Sequence, residues 1–174
     1  MGTEKELPTL RGEQLYIPFV GAIIERETGD GKTQVLIQVR EKESDKIYSG
    51  SIEIPGGKLS AFEDIYETVR REVKEESGLT VTFIGGEDKR IDCPNKGDIS
   101  TLIQPFCVTQ MKNGPFIGII FLCKAVGEPI LVTAETKDAK WIDIEELKKI
   151  INESPERVYT AFLAPLRKYL DIPR

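Results

Sequence analysis

The stretch from Pro55 to Val81 constrains this chain more than any other. It reads Pro55-Gly56-Gly57, then Glu63, then Arg71-Glu72-Val73-Lys74-Glu75-Glu76-Ser77-Gly78-Leu79. Gly78 precedes a β-type run and suits the left-handed residue that commonly closes a helix, so a helix ends near Ser77. Its start has two candidates, because Ser60 with Glu63 and Asp64 with Glu67 both have capping-box spacing. Either start makes Ile65 to Ser77 helical. Ile65, Val69 and Val73 recur about one turn apart and form a stripe facing a core, which leaves Glu72, Glu75 and Glu76 on a different face.

Those three carboxylates stand at the spacings where helical side chains become neighbours, and like charges so placed cost about 0.2–0.5 kcal/mol per pair. A hard divalent cation reverses that sign, since Mg²⁺ and Mn²⁺ prefer carboxylate and water oxygens. Arg70, Arg71 and Lys74 dilute the acid, so the face is not a plain anionic block. From Gly57 to Leu79 the segment resembles a complete Nudix box, every position of the motif being filled.

The resemblance extends over roughly Leu15 to Leu170 and implies an α/β fold of the αβα-sandwich type, a mixed β-sheet carrying the box helix and C-terminal helices. It favours Asp64 as the helix cap. It also implies one Nudix hydrolase domain over 1–174, with a polar N-terminal segment at 1–13. The activity implied is hydrolysis, dependent on Mg²⁺ or Mn²⁺, of the pyrophosphate bond in a nucleoside diphosphate linked to another moiety. A (d)NTP, ADP-ribose or a nucleotide sugar would fit. Metal would be held by Glu72, Glu75, Glu76 and the Gly57 carbonyl. Glu76, Glu135 and Arg71 are the catalytic candidates, with the general base open between Glu76 and Glu135. Gly56, Gly57 and Glu63 are assigned to substrate, although Glu63 and Arg71 match positions that more often play a supporting role. Pro94 after Leu79 resembles the proline placement of the family's ADP-ribose pyrophosphatases. The family often forms homodimers. The alternative is a Nudix-like module that senses nucleotides without cleaving them, and a further one is an acidic helix face used for docking.

The sequence contains no histidine, which excludes Ser-His-Asp and Cys-His catalysis and a histidine general base. Proton transfer then falls to carboxylates, lysine, tyrosine or metal-bound water. A formal charge of −5 gives no basic footprint for a nucleic-acid backbone. Cys93, Cys107 and Cys123 form neither a C-x-x-C pair nor an even set, so they are expected as free thiols. The longest apolar runs fall far short of the roughly 20 residues needed to span a bilayer. Glu4, Lys5 and Glu6 precede any apolar run, and a cytoplasmic protein is expected.

Elsewhere, Leu15–Arg26 and Thr33–Arg40 predict a hairpin around Thr28-Gly29-Asp30-Gly31-Lys32. Gly31-Lys32-Thr33 resembles the end of a P-loop, but Arg26 stands where that motif needs glycine and a strand follows. A charged connection, 41–49, leads into a short strand at Ile52-Glu53-Ile54. Thr80–Ile84 and Lys89–Ile91 are expected as strand pieces, Cys93–Asp98 as a loop, and Leu102–Met111 with Phe116–Val126 as a second hairpin. Trp141 is expected in the core. Two helices close the chain, one from Asp143 to Ile151 and one opened by Ser154-Pro155, the second kinked or split at Pro165. Tyr16, Phe19, Tyr48, Phe106 and Phe116 are the aromatic candidates for a wall against a base.

Overall fold

The computed structural model describes residues 7–41, 46–133 and 135–173. Part of the N-terminal polar segment and part of the 41–49 connection therefore lie outside the described residues. The strands, in chain order, are β1 (Thr9–Leu10), β2 (Glu13–Gln14), β3 (Ile17–Glu27), β4 (Thr33–Arg40), β5 (Ile52–Glu53) and β6 (Gly56–Lys58). After helix α1 (Ile65–Ser77) come β7 (Thr80–Ile84), β8 (Ile91–Asn95), β9 (Asp98–Leu102), β10 (Cys107–Gln110), β11 (Phe116–Val126) and β12 (Thr136–Asp143). Helices α2 (Ile144–Glu153) and α3 (Thr160–Leu170) finish the fold.

The main sheet runs β10-β11-β3-β4-β12, with β11 and β3 parallel and the other neighbours antiparallel. Alternate residues of its central strands face opposite cores. Phe19 and Ile23 of β3 join Val35 and Ile37 of β4 under α2 and α3, where Leu147, Ile151, Phe162 and Leu166 cover them. Val20, Ala22 and Ile24 with Leu36 meet Ile65, Val69 and Val73 of α1 on the other side. A sheet covered on both faces explains why β3 and β11 read as nearly continuous apolar runs. The expected αβα sandwich with its mixed sheet is the fold observed.

The sheet is forked, and the fork positions the site. β3 and β4 pair only near their hairpin, from Glu25↔Val35 to Glu27↔Thr33. Beyond it they part, β6 lies against β3, β5 lies against β4, and the Pro55 carbonyl accepts from Ala22 N–H at 2.8 Å. The chain thus passes through the fork just before it enters α1. Asp64 caps that helix by accepting from the N–H groups of Tyr66 and Glu67, and Gly78 ends it at φ 75°. Both ends agree with the sequence reading.

Several local expectations give way to tertiary pairing. Cys93–Asp98 is not a loop: β8 and β9 form a ribbon with Pro94 opposite Ile99, closed by Lys96 and Gly97 at φ 50° and 83°. Two consecutive left-handed residues suit the tight turn of a hairpin, and proline is tolerated in a ribbon with open edges. Residues 87–89 form a 3₁₀ turn rather than the start of a strand, and β10 starts at Cys107 instead of Leu102. Ser154-Pro155 opens only a 3₁₀ turn. Val158 then bridges to Ile52, Tyr159 N–H donates to the Ile52 carbonyl at 2.8 Å, and α3 starts afterwards. Helix α3 continues through Pro165. The burial of Phe162, Leu166 and Tyr169 against the sheet outweighs the roughly 3 kcal/mol that an interior proline costs.

Candidate active site

A cleft of ≈ 820 Å³ opens at the fork, lined by Glu53, Glu72, Glu75, Glu76 and Glu135 together with Arg40, Lys58 and Arg71. Gly56 and Gly57 form part of its wall, and Phe19, Phe116, Tyr159 and Phe162 form an aromatic end. Of the aromatic candidates, Phe19 and Phe116 line this cleft, whereas Tyr16, Tyr48 and Phe106 are not among its lining residues.

Glu76, in the last turn of α1, is 4% exposed. Its Oε2 accepts from Gly56 N–H at 2.9 Å and from Gln38 Nε2 at 2.8 Å. The Gly56 amide, assigned to substrate from sequence, is therefore engaged by a carboxylate. One turn earlier, Glu72 lies against Gly57 so closely that a β-carbon there would overlap its carboxyl group. Glycine is needed for that approach.

Arg71 organises the outer side of the helix. It grips Glu63 with two bonds of 2.8 and 3.0 Å and reaches Glu72 at 2.7 Å and Glu75 at 3.2 Å through Nη1. Glu67 pairs instead with Arg70, which also holds Glu87. The hydrogen bond from Arg71 keeps the Glu63 carboxyl below the ordinary range, and Glu63 in turn, with Glu72, raises the guanidinium pKa. Glu63 is not among the residues lining the cleft and is paired with Arg71.

Glu135 reaches the cleft from the loop before β12, and that loop is tied down. Thr136 Oγ1 donates to the Glu76 carbonyl at 3.2 Å, Ile130 N–H to the Ser77 carbonyl at 2.9 Å, and Glu41 N–H to the Glu135 carbonyl at 2.8 Å. The opposite wall carries Arg40 and Glu53, an ion pair of 3.0 Å with side chains 12% and 3% exposed, and the Arg40 guanidinium lies 4.5 Å from the Tyr159 ring centre. Pro94, in the exposed β8–β9 ribbon, is not part of the cleft wall. Trp141 is half-buried, with Arg26 stacked 4.3 Å from its ring centre.

Sequence reasoning missed Gln38, Arg40, Glu53, Tyr159 and Phe162. Gln38 and Arg40 were visible as the polar partners of the Val35-Ile37-Val39 alternation, which commonly marks a solvated face; here that face is covered by α1 and by the cleft. Glu53 has the same cause. Nothing local marks Tyr159, which arrives through the bridge to Ile52.

The residues present fit a hard divalent cation. The donors are all oxygen, from three helix carboxylates, Glu53 and Glu135, and Gly57 removes the side chain that would otherwise keep the backbone from Glu72. Among the described residues no three acidic, cysteine or histidine side chains converge as a ready-made metal cluster. Arg71 occupies the space between Glu72 and Glu75.

A carboxylate-bearing helix set against a glycine turn, on a mixed sheet covered on both faces, is the arrangement that the Nudix resemblance implies. The NUDIX domain model matches residues 16–162, and the chain belongs to the Nudix family. The fold is shared with a MutT NUDIX hydrolase from Burkholderia pseudomallei (19% identity, TM-score 0.58, covering 90% of this chain and 98% of that one). It is shared likewise with the NUDIX domain of Shewanella oneidensis NrtR complexed with ADP ribose (15% identity, TM-score 0.64, 93% and 91% covered). A C. elegans Ap4A hydrolase is similar over 88% of this chain and 94% of its own (18% identity, TM-score 0.52). No curated protein matches. Among the described residues no helix is long and apolar enough to cross a membrane.

Proposed function

We propose that this chain is a divalent-metal-dependent hydrolase that cleaves the pyrophosphate bond of a nucleoside diphosphate linked to a second moiety. The observation that carries the reading is that Glu53, Glu72, Glu75, Glu76 and Glu135 line one cleft beside Gly57. Such a concentration of acid repels a pyrophosphate unless cations intervene. Glu72, Glu75, Glu76 and the Gly57 carbonyl would hold Mg²⁺ or Mn²⁺, which supplies neutralisation of the phosphates and acidification of the attacking water.

The chain's own residues do the rest. Lys58 lines the same cleft and compensates phosphate charge, while Phe116, half-buried and edge-on to Phe19, offers a face to a base or sugar. Water adds to one phosphorus, the bond to the bridging oxygen breaks, and the other phosphate departs with that oxygen. The proton released by water passes to a carboxylate, Glu135 or Glu76. The ADP ribose bound to the NrtR domain and the Ap4A of the nematode enzyme's name both contain a nucleoside diphosphate linked to another group, which supports this substrate class.

The test is turnover against nucleoside triphosphates, ADP-ribose, nucleotide sugars and dinucleoside polyphosphates, each with Mg²⁺, with Mn²⁺ and with chelator. Metal-dependent cleavage of a pyrophosphate bond, with products resolved chromatographically, is the expected result. A compound that raises the melting temperature while nothing is cleaved would give the nucleotide-sensing reading the lead.

A further inference from the structure

We propose that Gln38 is a positioning residue that sets the Glu76 carboxylate for metal binding; the inference rests on the metal-dependent reading above. Gln38 is 0% exposed, in a strand whose neighbours Ile37 and Val39 turn to the opposite face. A glutamine in such a place costs free energy unless its amide is bonded. Only its nitrogen can face an ionised carboxylate, which accepts and cannot donate, and Nε2 donates to Glu76 Oε2 at 2.8 Å.

That orientation leaves Gln38 Oε1 buried with no hydrogen-bond partner among the described residues. A buried unsatisfied carbonyl costs about 1–3 kcal/mol. Methionine, of similar length and volume, would carry no such cost at this position. The amide is therefore poorly explained by packing and well explained by its contact. Gly56 N–H meets the same Glu76 oxygen at 2.9 Å. A strand side chain and a backbone amide, both held by the sheet, converge on Oε2 and so fix the position of that oxygen. Donors behind a ligand orient it and favour its ionised form, and their loss typically weakens metal affinity on the order of 10–100-fold.

The experiment measures Mn²⁺ binding to the substrate-free protein by the loss of the free-ion paramagnetic resonance signal, alongside kcat and KM on whichever substrate the turnover panel selects. Gln38→Met removes the donor at nearly constant volume, and Gln38→His keeps an N–H at about the same reach. The expected result is Mn²⁺ affinity reduced by at least about tenfold in Q38M, with kcat lowered more than KM is raised, and recovery of most of the affinity in Q38H. Equal affinity in wild type and Q38M, or equal losses in Q38M and Q38H, would overturn the assignment while leaving the hydrolase reading intact. A wild-type protein that takes up no Mn²⁺ would overturn both. Should Q38M not fold, Q38H decides, since affinity far below wild type in that folded variant also overturns the assignment.

Discussion

Gly57 packs directly against the carboxyl group of Glu72, leaving no room for a β-carbon between the box turn and the helix. The obstructed atoms are the far end of a flexible side chain, so Gly57→Ala is accommodated by moving Glu72 rather than by unfolding the turn. An off-rotamer glutamate costs about 0.5–1.5 kcal/mol, a small fraction of ordinary domain stability. The expected outcome is a melting temperature within a few degrees of wild type (on the order of 2–4 °C per kcal/mol at this size) and metal-dependent turnover reduced at least about tenfold. Full turnover in this variant would show that the close approach is not used.

Glu76 is held from behind by two N–H donors, and a glutamine in its place can still accept both through its carbonyl oxygen. Glu76→Gln therefore keeps both of these contacts and removes the charge. Turnover is expected to fall by more than about 100-fold, beyond the usual effect of losing a partner behind a ligand. Far-ultraviolet circular dichroism and thermal melts should be unchanged. Wild-type activity in the glutamine variant would sink the metal assignment.

The box helix was legible in the sequence down to its caps, because capping, periodicity and the glycine stop are all local chemistry read along one element. Asp64, the Ile65-Val69-Val73 stripe and Gly78 each sit where that chemistry puts them. The second half of the site was not legible, because strand pairing brings it together. Arg40 and Glu53 meet only because β4 and β5 pair beside the fork, and Tyr159 joins them because Val158 bridges to Ile52 instead of continuing the Ser154-Pro155 turn into a helix. Cys93–Asp98 shows the converse error: glycine and proline density suggested a loop, while two positive-φ residues at Lys96 and Gly97 make the same residues a tight hairpin.

The pair Arg71 and Glu63 sets an acid sensitivity with a definite sign. Arg71 holds the Glu63 carboxyl below its usual value of 4.5. A carboxylate depressed in the folded state contributes stability that is present above the unfolded value and lost as pH falls through the folded one. In Glu63→Gln that contribution is absent at every pH. Wild type should therefore melt higher than the variant near neutrality, the gap closing progressively as pH drops below about 4.5. A gap that persists unchanged at strongly acid pH would mean that Glu63 acts through packing, not through its charge.

The three thiols are expected to react in the order of their burial. Cys93 is exposed on the β8–β9 ribbon, Cys107 is half-buried with its pKa raised by desolvation, and Cys123 is buried with its pKa pushed up to about 12. Only the thiolate reacts with an aromatic disulfide reagent, so Cys93 should give the fast phase and Cys123 none until the protein unfolds. Cys93→Ser should delete the fast phase alone. Rapid labelling of Cys123 in the native protein would contradict its place between the sheet and α1.

Glu135 stands apart from the helix carboxylates in how it is held. Its side chain is exposed at the cleft, while its backbone is fixed through Thr136 to the Glu76 carbonyl and through its own carbonyl to Glu41 N–H. A group presented on an anchored loop, rather than packed behind a metal position, suits a proton acceptor that meets the attacking water. Removing a general base typically costs 10²–10⁴-fold in rate. Glu135→Gln is accordingly expected to lower kcat by about 100-fold or more, with Mn²⁺ affinity of the substrate-free protein unchanged. The contrast with Glu76→Gln, which should lose both, separates base from ligand. Loss of Mn²⁺ affinity in Glu135→Gln would move this residue into the ligand set and leave Glu76 as the proton acceptor.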